Sequence, residues 1–157
     1  MRGRWSFERS SVVAAPPDVV WRRVVTPAGI DDEMRPWMSM TLPRADLAVD
    51  TVCVGEPVGR AWLRLFGVVP FDYDDLVVTE LEPGRRFLEE SSMASMRRWV
   101  HERTVEAAPR GTAVTDRVAL TPRAPLVVLG PLLRRVVSAF FAHRHRRLQR
   151  HFGRAEA

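Results

Sequence analysis

The sequence contains no lysine and no asparagine, and all 24 of its basic residues are arginine. Such a bias points to a GC-rich, bacterial genome more than to selection for a polyanion. The net charge of +5 is therefore weak ground for expecting a nucleic-acid partner, and none is expected. A single cysteine, Cys53, excludes an internal disulfide and a cysteine zinc site. It reads as a small core or cavity residue. No apolar run reaches the roughly 18 residues of a membrane span, and the opening MRGRWSFERSSVV lacks the apolar core of a signal peptide. The expectation is a cytoplasmic protein without stable membrane insertion. What the chain does have is 46% hydrophobic and 27% charged residues over 157 positions. That is enough for one domain, 1–157, with a solid core or a core enclosing a cavity.

The end of the chain organises the rest. Between residues 126 and 152, Leu129, Leu132, Leu133, Val136, Val137, Phe140, Phe141, Leu148 and Phe152 recur at steps of three and four, the apolar stripe of a long helix. Pro131 suits its first turn, and Gly153 stands where a helix stops. Two adjacent phenylalanines need a broad apolar surface to lie on, and the middle of the chain supplies strands. Trp5 to Ala14 alternates with a period of two until Pro16-Pro17 breaks it. Residues 18–25 form a short helix with Val20, Trp21, Val24 and Val25 on one side. Residues 26–37 form a second short helix or turn, capped by Thr26 with Pro27 in its first turn and Asp31, Asp32 and Glu33 early. Strands are expected at 38–42, 48–54, 61–66, 71–81, 86–93, 96–107 and 112–121, separated by Gly and Pro turns. Consecutive strands with short turns, and helices collected at the ends, imply an antiparallel α+β arrangement.

That order resembles the START-like, or SRPBCC, superfamily, the helix-grip fold of Bet v 1, START domains and polyketide cyclases. The resemblance covers essentially the whole chain. It is carried by the opening strand followed by Ala15-Pro-Pro-Asp-Val-Val-Trp21, by Gly67 to Pro70, by Trp99-Val-His101 ahead of Gly111-Thr112 and Asp116, and by Phe141, Arg144 and Leu148. It implies a curved antiparallel sheet wrapped around a long C-terminal helix, with two short helices after the first strand and an apolar cavity in between. Val54-Gly-Glu-Pro-Val-Gly59 departs from the glycine-rich loop of Bet v 1. No Rieske-type or other cofactor motif is present, so no cofactor is expected.

The last three strands carry the sharpest chemical signal. Phe87, Glu89, Ser91 and Met93 share one face, as do Trp99, His101, Arg103 and Val105, and then Thr112, Val114, Asp116, Val118 and Leu120. A hairpin centred on Ala94–Ser95–Met96 sets Glu89 opposite His101. A turn at Pro109-Arg110 sets Asp116 opposite Arg103 and diagonal to His101. Such a row can move protons, with His101 as acid or base and Glu89 and Asp116 as its partners. It can equally orient a ligand, or be a set of buried charges that satisfy one another.

Other groups point to less. Asp72, Asp74 and Asp75 lack a calcium loop and read as a solvated strand start. His143, His145 and His151 share no ligand face, so no metal is expected. Ser91 and Ser92 precede no glycine elbow. The run His143 to Arg150 reads as a solvated helix end whose cations complement the macrodipole, since no aromatic residue interleaves it to stack bases. Trp37, Met38, Met40, Trp62, Phe66, Tyr73, Met93, Met96 and Trp99 are numerous enough to line an adaptable cavity.

Three functions are compatible with these residues. The first is binding of an apolar small molecule (a lipid, polyketide or terpenoid), with Arg103, Ser91, Trp99, Tyr73, Trp37 and Phe140 as contacts. The second is a polyketide cyclase, aromatase or dehydratase using His101, as the resemblance allows. The third is an interaction module using Arg134, Arg135 and the basic helix end.

Overall fold

The computed structural model describes residues 3–155. Trp5–Val13 (β1) leads into two short helices, Pro17–Val24 (α1) and Pro27–Met34 (α2). Six strands follow: Met38–Thr41 (β2), Pro57–Leu65 (β3), Val69–Glu82 (β4), Arg86–Met93 (β5), Met96–Ala108 (β6) and Gly111–Pro122 (β7). Gly130–Phe152 (α3) is the last helix, after a 3-10 turn at Leu126–Leu129. The strands form one seven-stranded antiparallel sheet in the order β1-β7-β6-β5-β4-β3-β2, so β7 is brought back beside β1.

The sheet curls because its ladder is interrupted. Register shifts at Leu63/Arg64, Val78/Glu80 and Met96/Arg98 add local twist, as bulges do. The curled sheet holds α3 in its concavity and leaves a gap between sheet and helix. Val13, Val20, Trp21, Val24, Phe87, Val105, Val114 and Leu148 close one end as a packed core. Trp21 meets Phe87 there, ring to ring at 6.4 Å.

The two short helices form for the local reasons anticipated. Val20, Trp21 and Val24 of α1 are buried. In α2 the Thr26 side chain accepts the Gly29 N–H at 3.1 Å, and Pro27 occupies the first turn. The strand expected at 48–54 does not form. Residues Val49–Thr51 make a 3-10 turn instead, tied to α1 by the Val49 N–H donating to Val25 O at 2.8 Å, and Cys53 beside it is exposed rather than in the core or cavity.

The long helix stops at Gly153, which adopts φ +87°. Its stripe is used unevenly. Phe141 and Leu148 are buried, whereas Leu129, Leu132 and Val136 are exposed. The helical stretch 126–152 in fact holds an 18-residue window apolar enough, by length and composition, to cross a bilayer, with no more than two charged residues in it. In this structure that helix is instead the one the sheet grips.

Candidate functional site

Alternation along β4, β5, β6 and β7 turns one face of each strand toward α3. The concave residues are Asp72, Asp74, Leu76 and Val78 on β4, and Phe87, Glu89, Ser91 and Met93 on β5. On β6 and β7 they include His101, Arg103, Thr112, Asp116 and Leu120. Glu89 pairs with His101 and Arg103 with Asp116, the register expected from the two hairpin turns.

Between this face and α3 lies a cavity of about 700 Å³. Its walls are mostly apolar, with Ile30, Met34, Met38, Leu63, Met93, Trp99, Leu133, Val137 and Phe140 among them. One region is polar: Asp72, Asp74, Glu89, His101 and Arg144. Trp37 stands at the rim, 51% exposed, with Phe66 6.3 Å away on the β3–β4 turn.

Asp116 is the hub of the polar region and is fully buried. Arg103 donates to it twice, from Nε to Oδ1 and from Nη2 to Oδ2, each at 2.7 Å. His101 Nε2 lies 2.7 Å from Oδ1 and His145 Nε2 lies 2.8 Å from Oδ2. A carboxylate only accepts, so both imidazoles present their Nε2–H to it. The His145 Nδ1 lies 2.5 Å from the Ser11 hydroxyl oxygen. Arg103 also donates from Nη1 to Glu33 Oε2 at 2.9 Å, and its Nη2 lies 2.8 Å from Glu33 Oε1. Arg144 reaches the same Oε1 at 3.3 Å.

Burial by itself would raise the Asp116 carboxyl, but Arg103 and the two imidazoles outweigh it and hold the group well below the usual carboxylate range. The Arg103 guanidinium, which burial alone would weaken as an acid partner, is held charged by Asp116 and Glu33 and shifts upward. Glu89 behaves in the opposite way. Burial, and then Asp74 beside it, push its carboxyl well above the usual range. Asp74 is raised by burial too, against hydrogen bonds from Glu89 and Ser91. The Ser91 hydroxyl donates to Glu89 Oε1 at 3.0 Å. Burial lowers His101 despite Asp116, so its ring is neutral, with Nδ1 3.8 Å from Glu89 Oε2. The wall therefore sets a carboxyl that holds its proton more tightly than usual beside an imidazole that burial makes harder to protonate, whose remaining nitrogen is free of the hub.

Of the residues singled out from the sequence, Glu89, His101, Trp37, Trp99 and Phe140 line the cavity. Asp116, Arg103 and Ser91 are buried behind that lining, touching its members rather than the space itself. Tyr73 is elsewhere. It sits on the convex face, 5.7 Å from Trp62 ring to ring and beneath the Arg60 guanidinium at 3.6 Å, because β4 turns its aspartates inward. Trp62 is outside for the same reason of alternation.

Asp72 and Asp74 are thus buried, not solvated. Asp72 accepts from the Ser95 hydroxyl and from the Tyr73 and Ser95 amides. Asp75 does face out, paired with Arg60 at 2.8 Å. The run His143 to Arg150 is not a wholly solvated end either. Arg144 and His145 are buried and Arg147 pairs with Asp32 at 2.9 Å.

The sequence reading names Glu33, Arg144, His145 and Asp74 but not as parts of this site: Glu33 reads as an early acidic residue of α2, Asp74 as a solvated strand start, and Arg144 and His145 as part of a solvated helix end. A signal for the middle two existed, since the stripe jumps from Phe141 to Leu148 and Arg144 and His145 fill the missing turn on that face. Glu33 likewise shares a buried face with Ile30 and Met34.

A curled antiparallel sheet gripping a C-terminal helix over a cavity is the START-like, or SRPBCC, fold, and comparison with solved structures shows the same. Protein CV1439 from Chromobacterium violaceum superposes with TM-score 0.72 at 15% identity, over 94% of this chain and 97% of that one. A START superfamily protein from Mycobacterium smegmatis gives TM-score 0.67 at 10% identity, over 94% and 96%. The Zhui aromatase/cyclase from Streptomyces sp. R1128 gives 0.63 at 16%, over 92% and 91%. No curated protein sequence matches the chain. Residues 11–152 match the family described as Domain of unknown function (DUF8410), and the chain belongs to that family.

Proposed function

We propose that the protein binds an apolar small molecule in the cavity between sheet and α3, with the molecule's polar end against Glu89, His101 and their neighbours. The observation that carries this reading is the cavity itself: about 700 Å³ of mainly apolar wall with a few ionisable groups, Asp72, Asp74, Glu89, His101 and Arg144 among them. Trp37, Trp99 and Phe140 contact the apolar body. Arg103, Ser91 and Asp116 position the groups that meet the polar end. The chemistry suits a lipid, a polyketide or a terpenoid carrying oxygen at one end.

Native mass spectrometry of gently purified protein tests this directly. A discrete additional mass, released on denaturation, is the expected result. A bare protein mass, together with no calorimetric binding of an apolar probe such as 1-dodecanol, would overturn the reading.

One arrangement favours a second reading, an acid–base enzyme of the cyclase or dehydratase kind. Burial makes Glu89 hold its proton more tightly than usual and His101 offers Nδ1 in the same wall, with Asp116 holding the ring by Nε2–H. In that role Nδ1 takes a proton from carbon next to a carbonyl, and Glu89 gives one to a departing hydroxyl. The aromatase/cyclase with the same fold supports the reading only as an analogy. His101→Ala should then abolish turnover of a polyketide-like substrate while binding persists. Equal loss of both would leave the binding role alone.

A further inference from the structure

Two buried guanidiniums and two buried carboxylates meet behind the cavity wall, and they are matched unevenly. Arg103 engages both Asp116 and Glu33 through both of its terminal nitrogens or its Nε, at 2.7 to 2.9 Å. Asp116 is further occupied by two imidazoles. Arg144 is left, among the described residues, with one ion-pair contact, 3.3 Å to a Glu33 oxygen to which Arg103 lies closer. Among the described residues its Nε has no hydrogen-bond partner, although the residue is only 6% exposed. Its guanidinium lies over the Phe141 ring at 4.8 Å, and the residue lines the cavity.

A guanidinium has five N–H donors and does not shed its charge at any ordinary pH. Holding one in a largely apolar space with donors unused is costly, and the cost is removed by an oxyanion that takes two of them side by side. We propose that Arg144 receives a carboxylate of the bound molecule, which makes the ligand an apolar organic acid. This rests on reading the cavity as a ligand site.

The other polar groups lining the cavity leave the role to Arg144: Arg146 is exposed to solvent, and His143 is half-buried with its Nε2 against the Arg35 carbonyl oxygen. Asp72 is occupied by Ser95 and the Tyr73 amide. Glu89 and Asp74, held toward their protonated forms by burial, are donors to an incoming oxygen more than they are charges opposing it. His101 gives its only N–H to Asp116. A phosphate would bring up to two charges to one uncompensated cation among three carboxyl groups. A carboxylate brings one and matches the fork.

The test compares two probes with the same tail, dodecanoate and 1-dodecanol, by calorimetry at pH 7.5 on the full chain. The wild type is expected to prefer dodecanoate by about tenfold to a hundredfold, the range of a charge-assisted pair. Arg144→Gln should bring the ratio near one, and Arg144→Lys should keep part of it, having the charge without the fork. Equal binding of the two probes by the wild type would overturn the proposal without any variant, whatever Arg144→Gln does to folding. So would a preference that survives Arg144→Gln in a folded protein. Binding of neither probe would instead remove the ligand-site reading on which the proposal stands.

Discussion

Asp116→Asn is the sharpest test of the buried hub. The substitution keeps the shape of the side chain and replaces one acceptor oxygen by an amide that donates. If the amide nitrogen takes the place of Oδ2, it faces Arg103 Nη2 and His145 Nε2, both donors, at the positions now 2.7 and 2.8 Å from that oxygen. Turning the amide over presents the same conflict to Arg103 Nε and His101 Nε2 on the other side. Either way Arg103 keeps its charge and loses half of its compensation. Breaking a buried pair from one side costs about 3–5 kcal/mol, a large share of the roughly 5–15 kcal/mol that holds a domain folded. At about 2–4 °C per kcal/mol for a chain of this size, Tm should fall by about 6–20 °C.

Urea titrations followed by circular dichroism, at pH 7 and at steps down to pH 3, would measure the loss. Because the folded Asp116 carboxyl lies well below its ordinary value, its contribution is complete above an unfolded pKa of about 3.9 and is lost as pH falls through the folded value. The gap between wild type and variant should therefore be widest above about pH 4 and narrow on acidification. A loss under about 1 kcal/mol at pH 7, or a gap that widens as the pH falls, would refute the account of Asp116 as a fully used charge.

Glu89→Gln should behave in the opposite sense. The folded carboxyl is raised, so ionising it costs stability as pH climbs above its unfolded value near 4.3, and glutamine escapes that cost. The variant should melt higher than wild type at pH 8 and similarly at pH 4.5, as read by differential scanning calorimetry; a lower Tm at pH 8 would contradict the assignment. Gly29→Ala, which in an ordinary helix gains up to about 1 kcal/mol, should here lose about 1–3 kcal/mol by urea melt. An added Cβ would sit 1.9 Å from the Arg23 carbonyl oxygen, so the backbone of α2, and Glu33 with it, must shift. A neutral or stabilising result would show that the helix has room to give.

Much of the architecture was legible because it follows from local periodicity. A period of two sorts each strand into faces, and a short turn fixes the partner. The Ala94–Ser95 and Pro109–Arg110 turns were enough to pair Glu89 with His101 and Arg103 with Asp116. The long helix, its stop at Gly153 and the Thr26 cap were read from spacing and cap chemistry alone. Alternation does not say which face is the inner one, however. On β4 apolar preference favoured turning Tyr73 inward, yet the sheet buries Asp72 and Asp74 and leaves Tyr73 outside.

The sequence by itself determined the order of elements apart from the strand expected at 48–54, the strand register around His101 and the identity of half the polar site. Only the tertiary structure decided how the buried charges are shared. Glu33 meets Arg103 across 70 positions of chain, and His145 meets Asp116 across 29. Whether an arginine ends in water or in the wall of a cavity depends on which carboxylates reach it once the sheet has curled. A pattern of neighbours along the chain carries no record of that compensation, so Arg144 looked like any cation at the end of a helix until the fold set it, half-paired, against the cavity.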